Sequence, residues 1–222
     1  KTGDIALPEV VNSKEIDPSG IQGLSVFGGA IETYGLMQQS GAIKVEFKDE
    51  KQGLFIFNYP ALWAIGNDFY FHATFGDTIY QVKGQELEPY RVFNFGERHL
   101  PKAERGKKEG NEEKLVITYV LETPDLIYFQ CAKNLYNDVT MYNGLYRKSD
   151  ETVMMNPTKE GFTDDLTGLP PFHPVSSTKK GGFVGVLKIE DIQEWLEEHP
   201  ETKLEGALAP LKDLAFDANP VI

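Results

Sequence analysis

The chain has 222 residues, of which 41% are hydrophobic and 25% charged, and its net charge is −12. That is enough apolar content for at least one packed domain and too much for a disordered chain. The acidity argues against nucleic acid and anionic membranes, because phosphate binding needs clustered Lys and Arg, and no run of 18 or more apolar residues could span a bilayer as a helix.

Residues 1–23 are mostly polar, with Pro8, Pro18 and Gly20, and read as an irregular lead-in. Leu24–Phe27 and Ala30–Leu36 are short strand candidates around Gly28-Gly29. Ala42–Phe47 alternates cleanly, with Ile43, Val45 and Phe47 opposite Lys44 and Glu46, which predicts a strand with one buried face. Four strands follow in close order: Ala61–Ile65, Asp68–Ala73, Asp77–Val82 and Leu87–Phe95. Pro89 cannot donate to a ladder, so the fourth is predicted at an edge.

Arg98–Lys114 is strongly polar and predicts an exposed loop, with a basic cluster at Lys102, Arg105, Lys107 and Lys108 among Glu neighbours. Leu115–Leu121, Leu126–Cys131, Val139–Tyr146 and Thr152–Met155 form a second strand series. The lone cysteine, Cys131, lies inside an apolar run, so it reads as a small buried hydrophobe. Gly161–Lys180 is irregular and rich in proline, and Gly182–Leu187 is a further strand. Ile189–His199 carries Ile189, Ile192, Trp195 and Leu196 on one helical stripe and is stopped by Pro200. Leu208–Ala215 predicts a second short helix, and Asn219–Ile222 a last strand.

A spaced pattern runs through these elements: Met37-x-x-Ser40-Gly41, Tyr80-x-x-Lys83-Gly84 and Tyr146-x-x-Ser149-Asp150. Each is read as a strand entering a small turn from which another strand leaves. Several strands per repeat at roughly 40–50 residues is the period of a β-propeller blade. The predicted fold is therefore all-β, a propeller-like array of four-stranded antiparallel blades with one or two short C-terminal helices. The whole of 1–222 is read as a single propeller-type domain or part of one. Its blade-like modules are 24–60, 61–97 and 114–156, followed by a terminal strand and helices over 182–222.

The segment Phe69-Tyr-Phe-His-Ala-Thr-Phe-Gly-Asp-Thr-Ile-Tyr80 resembles a blade hairpin of the six-bladed β-propeller proteins of Bacteroides-type bacteria, which are NHL-like in shape. The loop Asp164-Asp165-Leu-Thr-Gly168-Leu-Pro170-x-Phe172-x-Pro174 and the ending Leu211-Lys-Asp-Leu214…Asn219-Pro220-Val221 are similar to that family too. The resemblance implies an exported lipoprotein of the periplasm or outer cell surface, largely uncharacterised. It also implies that this chain matches about the C-terminal half, so that another chain or segment would complete the ring.

Two groups of residues could carry chemistry. Asp164, Asp165 and His173 share one loop and could hold a hard cation such as calcium or bind a polar ligand; the plainer reading is Asx-type turns stiffened by prolines. His72 and Asp77 flank a hairpin turn and could act as an acid/base pair. Gly-x-Ser-x-Gly, phosphate-loop, dinucleotide and His-Glu-x-x-His patterns are all absent from the sequence. No catalytic set is recognisable, and no cofactor beyond that calcium is expected. The function expected is an exported binding or scaffold protein, with a carbohydrate or peptide as ligand. The alternative is a carbohydrate-active hydrolase or lyase using paired carboxylates.

Overall fold

The computed structural model describes residues 21–28, 40–47, 52–58, 61–73, 75–101, 104, 109–135, 139–178, 180–216 and 218–222; up to Ala61 only the backbone is described. Residues 1–20 of the lead-in, Ala30–Leu36 and the basic cluster at Lys102, Arg105, Lys107 and Lys108 lie outside these residues, while residues 21–23, read as irregular, open the first strand.

Strands β1 (Ile21–Gly28), β2 (Ser40–Phe47) and β3 (Gln52–Asn58) form a first, three-stranded antiparallel sheet. Strands β4 (Ala61–Ile65), β5 (Asp68–His72), β6 (Thr78–Lys83) and β7 (Glu86–Val92) follow as a second sheet in sequence order. A third sheet has the same up-and-down order: β8 (Leu115–Glu122), β9 (Leu126–Lys133), β10 (Thr140–Arg147) and β11 (Thr152–Pro157). A two-stranded hairpin of β12 (Ser176–Ser177) and β13 (Phe183–Val184) comes next.

The C-terminal region holds helix α1 (Ile189–Glu198) and a 3-10 helix over Gly206–Asp213. Ile189, Ile192 and Leu196 of α1 pack on Leu169, Leu204 and Leu211, as the 3.6-residue period requires. Trp195 turns aside from this cluster. Its indole N–H donates to the Gly168 carbonyl, and its ring stacks on His199 at 3.7 Å between centroids. The expected last strand is reduced to a single bridge, Val221 to Leu187.

The second and third sheets pack face to face. Tyr70 and Ile79 from one meet Ile117, Val120, Ile127, Phe129 and Cys131 from the other. The β5–β6 turn helps to fix them, because the Phe75 N–H donates to the Ile117 carbonyl at 2.8 Å and Phe75 is buried beside Leu100, Val116 and Leu135. Part of the opposite face of the third sheet is covered by the chain that follows it. Phe162 and Phe183 pack against Tyr119, Leu121 and Tyr128, and the Tyr119 hydroxyl donates to the Val175 carbonyl at 2.9 Å.

The mostly-β expectation holds, and four-stranded antiparallel sheets are present. The propeller expectation does not. Among the described residues the sheets are separate and open, and none closes into a ring. The repeat has a local explanation. Tyr80 and Tyr146 both lie on the third strand of their sheets, just ahead of the turn into the fourth. At the first repeat Ser40-Gly41 opens β2 instead of turning out of a strand. Two meanders built alike repeat a hairpin pattern whether or not they belong to a ring, so the spacing reports the sheet and not its closure.

Candidate functional site

The edge strands β7 and β11 stand apart at one side of the packed sheets. Between them opens a cleft of about 500 Å3, lined by Tyr90, Arg91, Phe93, Phe129, Tyr146 and Met155 among others. Its floor depends on a close approach. The Phe129 ring lies over Gly144 on β10, and a Cβ at Gly144 would stand 2.1 Å from Phe129 Cζ. Only glycine leaves the ring room to lie flat on the sheet.

A β-bulge aims the polar groups. Ile79 pairs with Arg91 and Tyr80 with Pro89, so Tyr90 is an extra residue in β7. Two residues then oppose one, the strand twists, and both Tyr90 and Arg91 face the cleft instead of opposite sides. The Arg91 guanidinium lies 5.0 Å from the Tyr90 ring centroid and 5.4 Å from that of Tyr146. Its Nη1 donates weakly to the Tyr146 hydroxyl at 3.5 Å, while its Nε–H is buried without a hydrogen-bond partner. Burial opposes the charge, but Tyr90, Tyr146 and the Glu122 carboxylate outweigh it and hold the pKa above its ordinary value.

A second bulge sets the inner end of the interface. Ile117 pairs with Cys131 and Tyr119 with Gln130, leaving Thr118 extra and reversing the facing of β8 beyond it. Val120 therefore joins Ile117 in the inter-sheet core, and Glu122 meets the second sheet. The Trp63 indole N–H donates to Glu122 Oε2 at 3.0 Å, and Lys148 Nζ lies 2.7 Å from Glu122 Oε1. Glu122 is thus a buried carboxylate with its own cation. From it an aromatic series runs outward toward Arg91, with Trp63–Tyr70 at 6.1 Å and Tyr70–Tyr90 at 4.7 Å.

The residues singled out in the sequence lie elsewhere. His72 is buried, and its Nε2–H donates to the Gly76 carbonyl at 3.0 Å, bracing the β5–β6 turn. Burial lowers its pKa to about 4, against smaller opposing effects from Gly76 and Asp77. Asp77 is not hydrogen-bonded to it. One carboxylate oxygen accepts from the Thr78 hydroxyl at 2.7 Å, and the other faces His99 Nε2 at 3.8 Å.

Asp164 accepts the backbone N–H groups of Leu166 and Thr167 at 3.0 Å, along with the Thr167 hydroxyl, in an Asx-type turn. Burial would raise its pKa, but the hydrogen bonds from Thr167, Leu166 and Leu169 outweigh it and hold the carboxyl below its ordinary value. Asp165 is exposed. His173 packs over Gly161, where a Cβ would meet its Nε2 at 2.7 Å, and burial lowers its pKa. Among the described residues no three His, Cys, Asp or Glu side chains gather as metal ligands. Cys131 is buried and its thiol is pushed up to about 12 by desolvation.

The sequence reading missed Arg91, Tyr146 and the Glu122–Lys148 pair. Pro89 marked the edge strand, but the bulge one residue later depends on pairing with β6, which a single strand does not encode.

No helix among the described residues is long and apolar enough to cross a membrane. No curated protein matches the chain. It is similar to a solved structure from Bacteroides fragilis NCTC 9343 described as a putative exported protein, at 18% identity and a TM-score of 0.49, covering 80% of this chain and 55% of that one. The chain therefore spans little more than half the length of that protein. The resemblance to six-bladed NHL-like propellers gives way to a different assignment, consistent with sheets that stay open. Residues 14–222 match the family described as a domain of unknown function, DUF4934, and the chain belongs to that family.

Proposed function

We propose that this protein is a binding module whose ligand occupies the cleft between β7 and β11. The observation that carries the reading is the cleft's composition. It is an apolar, aromatic-walled space of about 500 Å3 whose few polar groups, Asn94 apart, converge at Arg91 and the flanking tyrosines. Ligand sites have this make-up: apolar walls supply affinity and a few placed polar groups fix orientation. The volume suits a small organic molecule or a single side chain better than an oligosaccharide. We also take the protein to be extracytoplasmic, the location in the name of the solved structure above, which fractionation of the source cells tests.

The cleft is tested by a thermal-shift screen of the full chain against organic acids, short peptides, sugars and divalent ions. A ligand of the folded state raises the melting temperature by mass action. Met155 lines the cleft and is 46% exposed, so Met155→Trp fills the mouth while leaving the core untouched. The expected result is at least one stabilising compound whose shift disappears in Met155→Trp. Hits indifferent to that substitution, or no hits, overturn the reading.

A further inference from the structure

We infer that the cleft ligand is an amphipathic organic anion, an apolar body bearing one carboxylate-like group that Arg91 receives. The inference rests on the cleft being the binding site and adds the chemistry of what enters it.

The first argument is charge accounting. In a chain of net charge −12, cations have carboxylates to spare. Lys83, Lys133, Arg147, Lys148 and Lys188 each pair with one. Arg91 has no ion-pair partner among the described residues, although it is partly withdrawn from water. The nearby carboxylate, Glu122, is already held by Lys148 and the Trp63 indole. Burying a cation without a partner is costly, and proteins retain such groups where something else supplies the counter-charge.

The second argument is geometry. The bulge at Tyr90 turns Arg91 toward the cleft, and the two tyrosine rings fix its plane. Arginine's donors form a rigid fork matched to the two oxygens of a carboxylate. Here the acceptors for that fork are the neutral hydroxyls of Tyr90 and Tyr146, the latter at 3.5 Å, longer than a good charge-assisted bond, and Nε–H has none among the described residues. A guanidinium already oriented loses little freedom when an anion arrives.

The third argument is the remainder of the wall. Phe93, Phe95, Ile127, Phe129 and Val153 offer no polar group to a ligand, and Asn94, also in the wall, has its side-chain oxygen taken by the Gly96 N–H, so the ligand's other end is mainly apolar.

Two probes with one body separate the parts of this claim. 8-Anilinonaphthalene-1-sulfonate carries an anion, and N-phenyl-1-naphthylamine is the same skeleton without it. Both brighten in apolar surroundings, and both are titrated into the 222-residue chain. We expect the sulfonate to bind about tenfold or more tightly than its neutral analogue, as a charge-assisted hydrogen bond predicts. Arg91→Met should remove that preference, bringing the affinities of the two probes together. Arg91→Lys should keep part of the preference, and raised salt should weaken only the sulfonate. Equal binding of the two probes to the native chain, or an unchanged preference in Arg91→Met, overturns the anion assignment. Binding of both probes that survives Met155→Trp overturns the cleft itself, so the two failures are distinct. If Arg91→Met unfolds, the Arg91→Lys titration and the salt dependence of the native chain decide the matter.

Discussion

The second and third sheets share one topology and differ in what covers them. In the third sheet β8 is buried along its whole length, and β9 along all but its ends, because one face meets the second sheet and the other is covered by Phe75, Leu100 and Leu135 together with the chain after β11. In the second sheet, among the described residues, the inner face alone is closed. On its outer face Leu62 and Phe69 remain 60% and 53% exposed. The same meander therefore serves as a central layer in one place and as an outer wall in the other. Which it becomes is decided by what packs on its second face. For the third sheet that cover is Phe75, Leu100 and Leu135 together with residues of 158–184; the second sheet is followed by the polar stretch from Gly96 to Lys114.

The largest expected effect lies where both faces are closed. Phe129 packs on Gly144 below and on Phe93 across the interface at 5.1 Å. Phe129→Ala should cost about 3–5 kcal/mol, the range for losing a buried aromatic ring. Urea unfolding followed by circular dichroism measures it, and a cost under about 1 kcal/mol would remove the contrast between the sheets.

A smaller effect concerns the inner face of the second sheet. His72 has a folded pKa of about 4 against an ordinary 6.5, so the unfolded chain binds its proton more readily. The stability this gives is fully present above about pH 6.5 and is lost as pH falls through 4, with an upper size of roughly 3–4 kcal/mol. His72→Gln keeps a donor for the Gly76 carbonyl. The slope of stability against pH between 4 and 6.5 should be shallower in that variant than in the native chain. Parallel slopes would show that His72 is protonated as easily folded as unfolded.

The smallest effect is expected on the outer face. Phe69→Ser should change stability by no more than about 0.5 kcal/mol, as for exposed positions generally. A loss of several times that amount would mean the outer face is covered in solution.

The strands were legible from the sequence where one face is wet. Ala61–Ile65 was read at its observed bounds, and Asp68–Ala73 to within one residue. In the third sheet the apolar run Leu126–Cys131 marked a buried strand, but continuous burial erases the alternation that would say which residue faces which layer. The helix at Ile189 was legible because its period is local. The site was much less legible. Asp164, Asp165, His72 and Asp77 drew attention because their side chains can carry chemistry. The structure commits Asp164 and His72 to turns, and Asp77 to Thr78. Arg91 was not selected from the sequence, because its setting comes from three strands. Tyr90 precedes it on β7, the bulge needs β6, and Tyr146 arrives from β10. The propeller expectation failed for a related reason: hairpin spacing is local, whereas closure depends on how whole sheets are arranged.

The placement of Trp63 against Glu122 has a practical consequence. The chain has two tryptophans, and they report on different places. Trp63 sits where the second and third sheets meet, with its indole N–H held by a buried carboxylate. Trp195 lies on α1, stacked on His199. Replacing either with Phe leaves a single intrinsic fluorophore. The protein therefore carries two built-in optical reporters, one for the joining of its sheets and one for the seating of its C-terminal helix.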